Sequence, residues 1–334
     1  PHIEATGALS LLCTPILNQG VLTGVLYLEN NLTAHAFTPA RCTILEALAA
    51  QAAISVENAR LYAEQLQLKN SFRRFVPTEF LEQLDKRSIL EVGLGDAVAH
   101  DMAVLFLDIR NFTALSESMS PKGIFDHLNG YLGHVGPAIR AHGGFIDKYI
   151  GDAVMALFPD RKGVPLRAAV AIQREVEAFN AEIVPQGLPP MVVGIGVHRG
   201  ALMLGTIGEP ERLDNTVISD AVNVASRLEG MTKHFGVTAI ASRDAIEASG
   251  QGAVAHRWLG KVVLKGKREP IDVHELIDAD EPEVMAAKAG SRALFERAVA
   301  AYTAGELTAA REGFEQVLAD HEADTVARYF IALI

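Results

Sequence analysis

The sequence predicts an α+β protein built on a ferredoxin-like βαββαβ core, and three patterns carry that prediction. From Met102 an apolar strand, AVLFLDI, leads into a helical stretch near 121–141. A hairpin, GFIDKYIGDAVMALF, comes next, and a helix near 165–182 then runs into the strand MVVGIGVH. Two αβ alternations thus flank a central hairpin. Beyond them a strand-turn signal at ISD opens the helix DAVNVASRLEG, and KVVLKGKREPIDVHEL reads as two strands around a Gly-containing turn.

The regions on either side are of other kinds. Residues 5–28 hold no charged side chain, a length that raises the question of a membrane span. Pro15, Asn18, Gln19, Gly20 and Gly24 interrupt the run, so it reads as a hairpin of LSLLCTPIL and VLTGVLYLEN. Residues 39–70 lack internal Gly and Pro and are rich in Ala, Leu, Glu and Gln, which predicts one long helix. Leu45, Leu48, Ala52, Ala59, Tyr62 and Leu66 follow a three-four spacing that suits a parallel partner helix; packing on its own hairpin is the other reading. Residues 71–100 form a connector containing Pro77, Gly93 and Gly95. The last fifty or so residues are helical, with aromatic and Ala positions around Gly305 that resemble a tetratricopeptide unit. Such repeats normally need about three copies, so this tail either stops inside an array or docks on its neighbour.

Composition narrows the function classes. The 334 residues are 49% hydrophobic and 21% charged, which excludes disorder and allows about two domains at ~150 residues each. Thirty Lys and Arg against 41 Asp and Glu give a net charge of -11, so no basic surface favours nucleic acid. Two cysteines, Cys13 and Cys42, are too few for a disulfide framework and point to a reducing cytoplasm. The chain begins Pro1-His2 with neither an initiator Met nor a signal pattern, so a fragment of something longer is expected.

Several residues suit phosphate chemistry. Asp108 ends an apolar strand, where a carboxylate needs solvent, a cap or a cation; taken alone it also reads as a cap of the following turn. Asn111-Phe112-Thr113 after it suits a turn whose N–H groups face an anion. Asp152 sits in Ile150-Gly151-Asp152-Ala153, an ordinary hairpin turn on its own. A ferredoxin-like core brings the first strand's end beside this hairpin, and two converging carboxylates call for a divalent cation. Lys148 shares a strand face with Ile146 and Ile150, leaning away from Asp147, and is either a snorkelling side chain or a donor in a pocket. On the helix near 220–229, Asp220, Asn223 and Arg227 share one face: an amide and a guanidinium suited to a ribose oxygen and a phosphate, or a solvated face with Arg227 paired to Asp220 or in the neighbourhood of Glu229. Lys265 and Lys267 in LKGKREP suit phosphate oxygens or water equally. The eleven histidines show no zinc spacing, and no nucleophile elbow is present.

Residues of about 100–276 resemble a class III nucleotidyl cyclase catalytic domain. The resemblance rests on FLDIRNFTALSE, FIDKYIGDAVMALF, TVISDAVNVASRLE and LKGK, in the family's order and spacing. It implies that Asp108 and Asp152, with the Ile109 carbonyl, bind two Mg²⁺ or Mn²⁺ ions, and that the turn with Phe112 and Thr113 contacts phosphates. Lys148 and Thr216 would read the purine, Asn223 orient the ribose, Arg227 stabilise the transition state and Lys265 hold phosphate. The Lys-Thr pair resembles adenylate cyclase usage, where guanylate cyclases place Glu and Cys, so ATP is the expected substrate. Thr at this position also marks a subclass associated with bicarbonate stimulation. The proton acceptor stays open among Asp108, a substrate phosphate and water.

The family implies a head-to-tail homodimer in which Asp108 and Asp152 from one protomer meet Lys148, Thr216, Asn223, Arg227 and Lys265 of the other. Arg199 and His274 depart from residues usual in relatives, commonly Thr and Tyr. GVLYLEN and LEALAAQAAISVENARLY resemble the end of a GAF sensor domain. The expected division is a GAF-like part over 1–60, a signalling helix and linker over 61–99, the cyclase domain over 100–278 and a tetratricopeptide-like tail over 279–334, the last a place for a protein partner. The expected function is adenylate cyclase, forming 3′,5′-cyclic AMP and pyrophosphate in the cytoplasm, with no membrane contact in this stretch. A guanylate cyclase and a catalytically silent dimerising scaffold are the alternatives.

Overall fold

The computed structural model describes residues 6–73, 75–159, 164–250, 252–267 and 269–334, which fall into two compact units, Pro1–Val76 and Pro77–Ile334. In the first, strands β1 (Ser10–Asn18) and β2 (Val21–Asn30) form the expected antiparallel hairpin. Gln19 and Gly20 turn it with positive φ. Helix α1 (Pro39–Phe72) packs on β1 with Ala49 and Ala53 buried. Leu48, Ala52, Ala59, Tyr62 and Leu66 of the anticipated seam are exposed. Among the described residues no helix is long and apolar enough to cross a membrane.

The second unit opens with a short helix, α2 (Thr78–Gln83), and builds one eight-stranded sheet. Its ferredoxin-like part is β3 (Ala97–Ile109), α4 (Pro121–Ala141), β4 (Phe145–Ile150), β5 (Ala153–Phe158), α5 (Val164–Ile183) and β6 (Val193–Glu209), with a short helix α3 (Phe112–Glu117) after β3. The strand order β4-β5-β3-β6 is the expected antiparallel one. Ala103, Leu105, Leu107 and Ile109 alternate onto one face of β3 and share a core with α4 and α5. Past β6 the chain adds β7 (Arg212–Ile218), α6 (Asp220–Phe235), β8 (Ala239–Ser242), α7 (Arg243–Ser249), β9 (His256–Val262) and β10 (Ile271–Leu276).

Helix α6 lies backbone to backbone against β6 at Gly196. A Cβ on Gly196 would collide with the Ala225 carbonyl oxygen and the Glu229 amide nitrogen. Backbone cannot yield as a side chain can, so Gly196→Ala is expected to destabilise the second unit by about 3 kcal/mol, measurable as a lowered urea midpoint.

The tail docks on the strands of the sheet. Helices α8 (Pro282–Thr303), α9 (Leu307–Asp320) and α10 (Thr325–Leu333) place Phe295, Phe314 and Phe330 in one hydrophobic core with Val224, Leu228, Leu259 and Val273. A buried charge network reinforces this seam: Arg257 reaches Glu275 and Asp324 at 2.5 Å each, and Lys288 reaches Glu275 at 2.6 Å and Asp280 at 2.8 Å. Asp324 also caps α10 by accepting from the amides of Val326 and Ala327. The tail and the strands β9 and β10 are therefore one folding unit.

His274 of β10 stacks edge-on with His256 of β9, ring centroids 5.1 Å apart, and neither of its nitrogens has a hydrogen-bond partner among the described residues. Burial, and then His256, hold its imidazole below the usual 6.5, at about 4, among Arg243, Asp272 and Glu296. An unfolded chain binds the proton first as pH falls, so this contribution is whole above about pH 6.5 and is lost toward about pH 4. His274→Tyr is expected to flatten the fall in urea midpoint between about pH 7 and about pH 5.

Candidate active site

Asp108 is the penultimate residue of β3, and the pairing Leu107↔Val154 carries Asp152, in the β4–β5 turn, to the same sheet end. Gly151 makes this turn with φ 66°. The Asp152 carboxyl lies close to that of Asp108, with the Asp152 and Ile109 backbone amides near enough to favour its charged form. Burial, then the contact with Asp108 and its charge, raise Asp152 to about 6. The anticipated convergence of the two carboxylates is thus present. Asn111 adopts a left-handed conformation before α3, which Phe112 and Thr113 open; Phe112 packs into the helix-covered core and Thr113 is exposed.

Two further contacts lie elsewhere on the same unit. Lys148 Nζ donates to the Asn215 carbonyl at 3.0 Å, beside the half-buried Thr216 on β7. Its expected lean away from Asp147 is incorrect, because a β-bulge between Ile146 and Lys148 breaks the alternation and leaves Nζ 3.6 Å from the Asp147 carboxylate. Asn223 is exposed on α6, and Arg227 sits one turn further along it. A Cβ on Gly266 would lie 3.8 Å from the Arg227 guanidinium, so that side chain approaches the turn carrying the exposed Lys265. Asp220 pairs with Lys267 rather than with Arg227. Lys267 is thereby engaged, which leaves Lys265 as the free lysine of the pair. Arg199, one of the departures, bonds Asp101 on β3 at 3.2 Å.

Residues 97–277 match the adenylate and guanylate cyclase catalytic domain, and residues 1–56 match the GAF domain. The chain belongs to the class III nucleotidyl cyclase family. It is 44% identical over 214 residues to an adenylate cyclase of Anabaena cylindrica, a match spanning 62% of this chain and 43% of the relative. Adenylate cyclase 1 of Rhizobium meliloti is 33% identical over 215 residues, 62% of this chain and 32% of that protein. The chain thus spans less than half of these curated relatives. A bacterial light-regulated adenylyl cyclase structure shares the fold with TM-score 0.58 at 23% identity, covering 70% of this chain and 68% of that one.

The cyclase domain also places residues near the carboxylates that the sequence did not single out. Glu229 of α6 is only 8% exposed. Burial, then the charge of Asp108, raise it to about 7 against the opposing pull of Lys233 and Arg110. Arg110 donates to the Val237 carbonyl and is itself lowered by burial. Tyr131 of α4 is fully buried with its hydroxyl unpartnered among the described residues, raised by burial and by Asp108 and Asp152. A spacing of four from Ala225 already put Glu229 on the buried stripe of α6.

Among the described residues no three His, Cys, Asp or Glu side chains gather closely enough to hold a metal by themselves. The pair Asp108 and Asp152 still fits a hard divalent cation. Its donors are all oxygen, its mutual repulsion lacks a counter-charge, and Mg²⁺ commonly takes one or two carboxylates plus substrate phosphates.

Proposed function

We propose that this chain is an adenylate cyclase that converts ATP to 3′,5′-cyclic AMP and pyrophosphate. What supports the reading is that one chain carries both a carboxylate pair at the end of β3 and, around β7, α6 and the β9–β10 turn, Lys148, Thr216, Asn223, Arg227 and Lys265, residue types suited to the complementary role. Identity to the Anabaena adenylate cyclase supports the choice of activity.

In this reading two copies associate head to tail, so that each active site joins the carboxylates of one to the complementary residues of the other. Asp108, Asp152 and the Ile109 carbonyl would hold two Mg²⁺ or Mn²⁺ ions, whose chemistry is to acidify the ribose 3′-hydroxyl and neutralise the triphosphate. Lys148 and Thr216 select adenine through one donor and one hydroxyl. Asn223 orients the ribose for in-line attack on the α-phosphorus, Lys265 holds phosphate oxygens, and Arg227 balances the charge that grows in the transition state. The amides of the turn at Phe112 and Thr113 face the phosphates.

The test is product formation by the purified chain with ATP or GTP in Mg²⁺ or Mn²⁺. Cyclic AMP is expected, with Asp108→Ala abolishing it. Preferential use of GTP would overturn the assignment of Lys148 and Thr216, and the absence of product with either nucleotide would favour a silent scaffold.

A further inference from the structure

Directly paired residues of neighbouring strands project to the same face of a sheet. Gly194 of β6 is the partner of Asp108 on β3. Gly194 has no side chain, and the space over it is filled by Thr232 and Glu229: a Cβ there would lie 2.4 Å from Thr232 Oγ1 and 2.6 Å from Glu229 Oε1. The Glu229 carboxylate therefore lies across one strand from Asp108, on the face to which the Asp108 side chain projects. It is more than nine-tenths buried, and Oε1 has no hydrogen-bond partner among the described residues. A buried carboxylate oxygen left unpaired costs roughly 1–3 kcal/mol or more, and nothing in the packing of α6 requires a charge at this position.

Lys233 and Arg110 pull on Glu229 electrostatically, but neither forms an ion pair with it within 4.0 Å among the described residues. Glu229 is also too remote to join Asp108 and Asp152 as a direct ligand. A water on a cation at the carboxylate pair would give Oε1 the donor it lacks. Mg²⁺ keeps several of its waters when protein-bound, and carboxylates that accept from such waters fix their arrangement.

We propose that Glu229 is a positioning residue of the cation site, accepting a hydrogen bond from a water on the ion held by Asp108 and Asp152. This rests on the cation-site reading above. The close passage of α6 over Gly194 and Gly196 brings it there. The same helix carries Asn223 and Arg227 on its other face, so α6 serves the carboxylates of its own chain and, in a head-to-tail pair, the nucleotide bound to the other copy.

The experiment is Mn²⁺ binding to the full chain without nucleotide, by calorimetry and by electron paramagnetic resonance of the bound ion. Wild type is compared with Asp108→Asn, Glu229→Gln and Glu229→Asp, each first shown to be folded by circular dichroism. Asp108→Asn is expected to abolish binding; if it does not, or if wild type fails to bind, the cation-site reading itself fails. Glu229→Gln is expected to weaken Mn²⁺ on the order of tenfold. Glu229→Asp keeps the charge but withdraws it by one methylene, and is expected to weaken binding comparably and to alter the spectrum. Unchanged affinity in Glu229→Gln, with binding lost in Asp108→Asn, would overturn the proposal alone. Wild-type affinity in Glu229→Asp would also overturn it, because charge without position would then suffice. Should Glu229→Gln not fold, Glu229→Asp decides the question.

Discussion

Arg227→Ala is expected to lower cyclic AMP formation by about 10³-fold with little change in KM, because the guanidinium meets charge that exists only in the transition state. The side chain is half-buried on α6 beside the β9–β10 turn and is not tied to Asp220, which pairs with Lys267. It is therefore free to reach a substrate. Asp108→Ala is expected to be equally inactive for a different reason, the loss of one of two converging carboxylates. Mixing the two inactive chains separates the shared-site arrangement from a self-contained one. If each site joins Asp108 of one copy to Arg227 of the other, half of the randomly formed dimers are mixed and hold one whole site in two. Activity then returns to about a quarter of wild type. A mixture that stays inactive despite subunit exchange would show that each site is built within one copy.

Arg257→Met is expected to destabilise the second unit by about 3–5 kcal/mol, the range for removing one partner from a buried ionic group. Arg257 is wholly buried and bridges Glu275 on β10 to Asp324 at the start of α10, with its guanidinium 4.0 Å from the Phe295 ring centroid. Without it Asp324 loses its guanidinium partner while still capping α10, and among the described residues Glu275 retains only Lys288. The drop in melting temperature should be on the order of 10 °C. Trp258, the only tryptophan of the chain, is the neighbouring residue and bonds Asp272 and Glu296, so its fluorescence reports the unfolding of this seam. A small effect would mean that the apolar contacts among Phe295, Phe314 and Phe330 suffice to hold the tail.

Much of this was legible in the sequence, where local pattern decides local structure. The strand AVLFLDI, the hairpin around Gly151-Asp152 and the helix DAVNVASRLEG each announce themselves by period or turn chemistry, and the strand order follows from their succession. The convergence of Asp108 and Asp152 could be read the same way, since the topology alone brings their strand ends together. The bulge at Asp147 could not, because one extra residue in a strand leaves no compositional mark while turning Lys148 toward its neighbour. Nor could the place of Glu229 beside the carboxylates: its spacing from Ala225 puts it on the buried stripe of α6, but only the structure shows Gly194 beneath it. VGIGVH reads as a strand whether or not a helix presses on its glycines. The tail posed a similar difficulty: its aromatic spacing specifies a helical hairpin but not its partner, and only the docked structure shows Phe314 against the strands of the cyclase domain.

The direct contact of α6 with β6 at Gly196 has a mechanical corollary. With backbone against backbone at that point, helix and strand cannot slide past each other without breaking the packing. Asp108 and Asp152 on one part, and Asn223 and Arg227 on another, are therefore carried on a single stiff plate. For two such plates facing head to tail, the adjustable coordinate is the distance and tilt between them. A signal arriving from upstream would then tune both reaction centres together, as a change in alignment between bodies that themselves stay unbent.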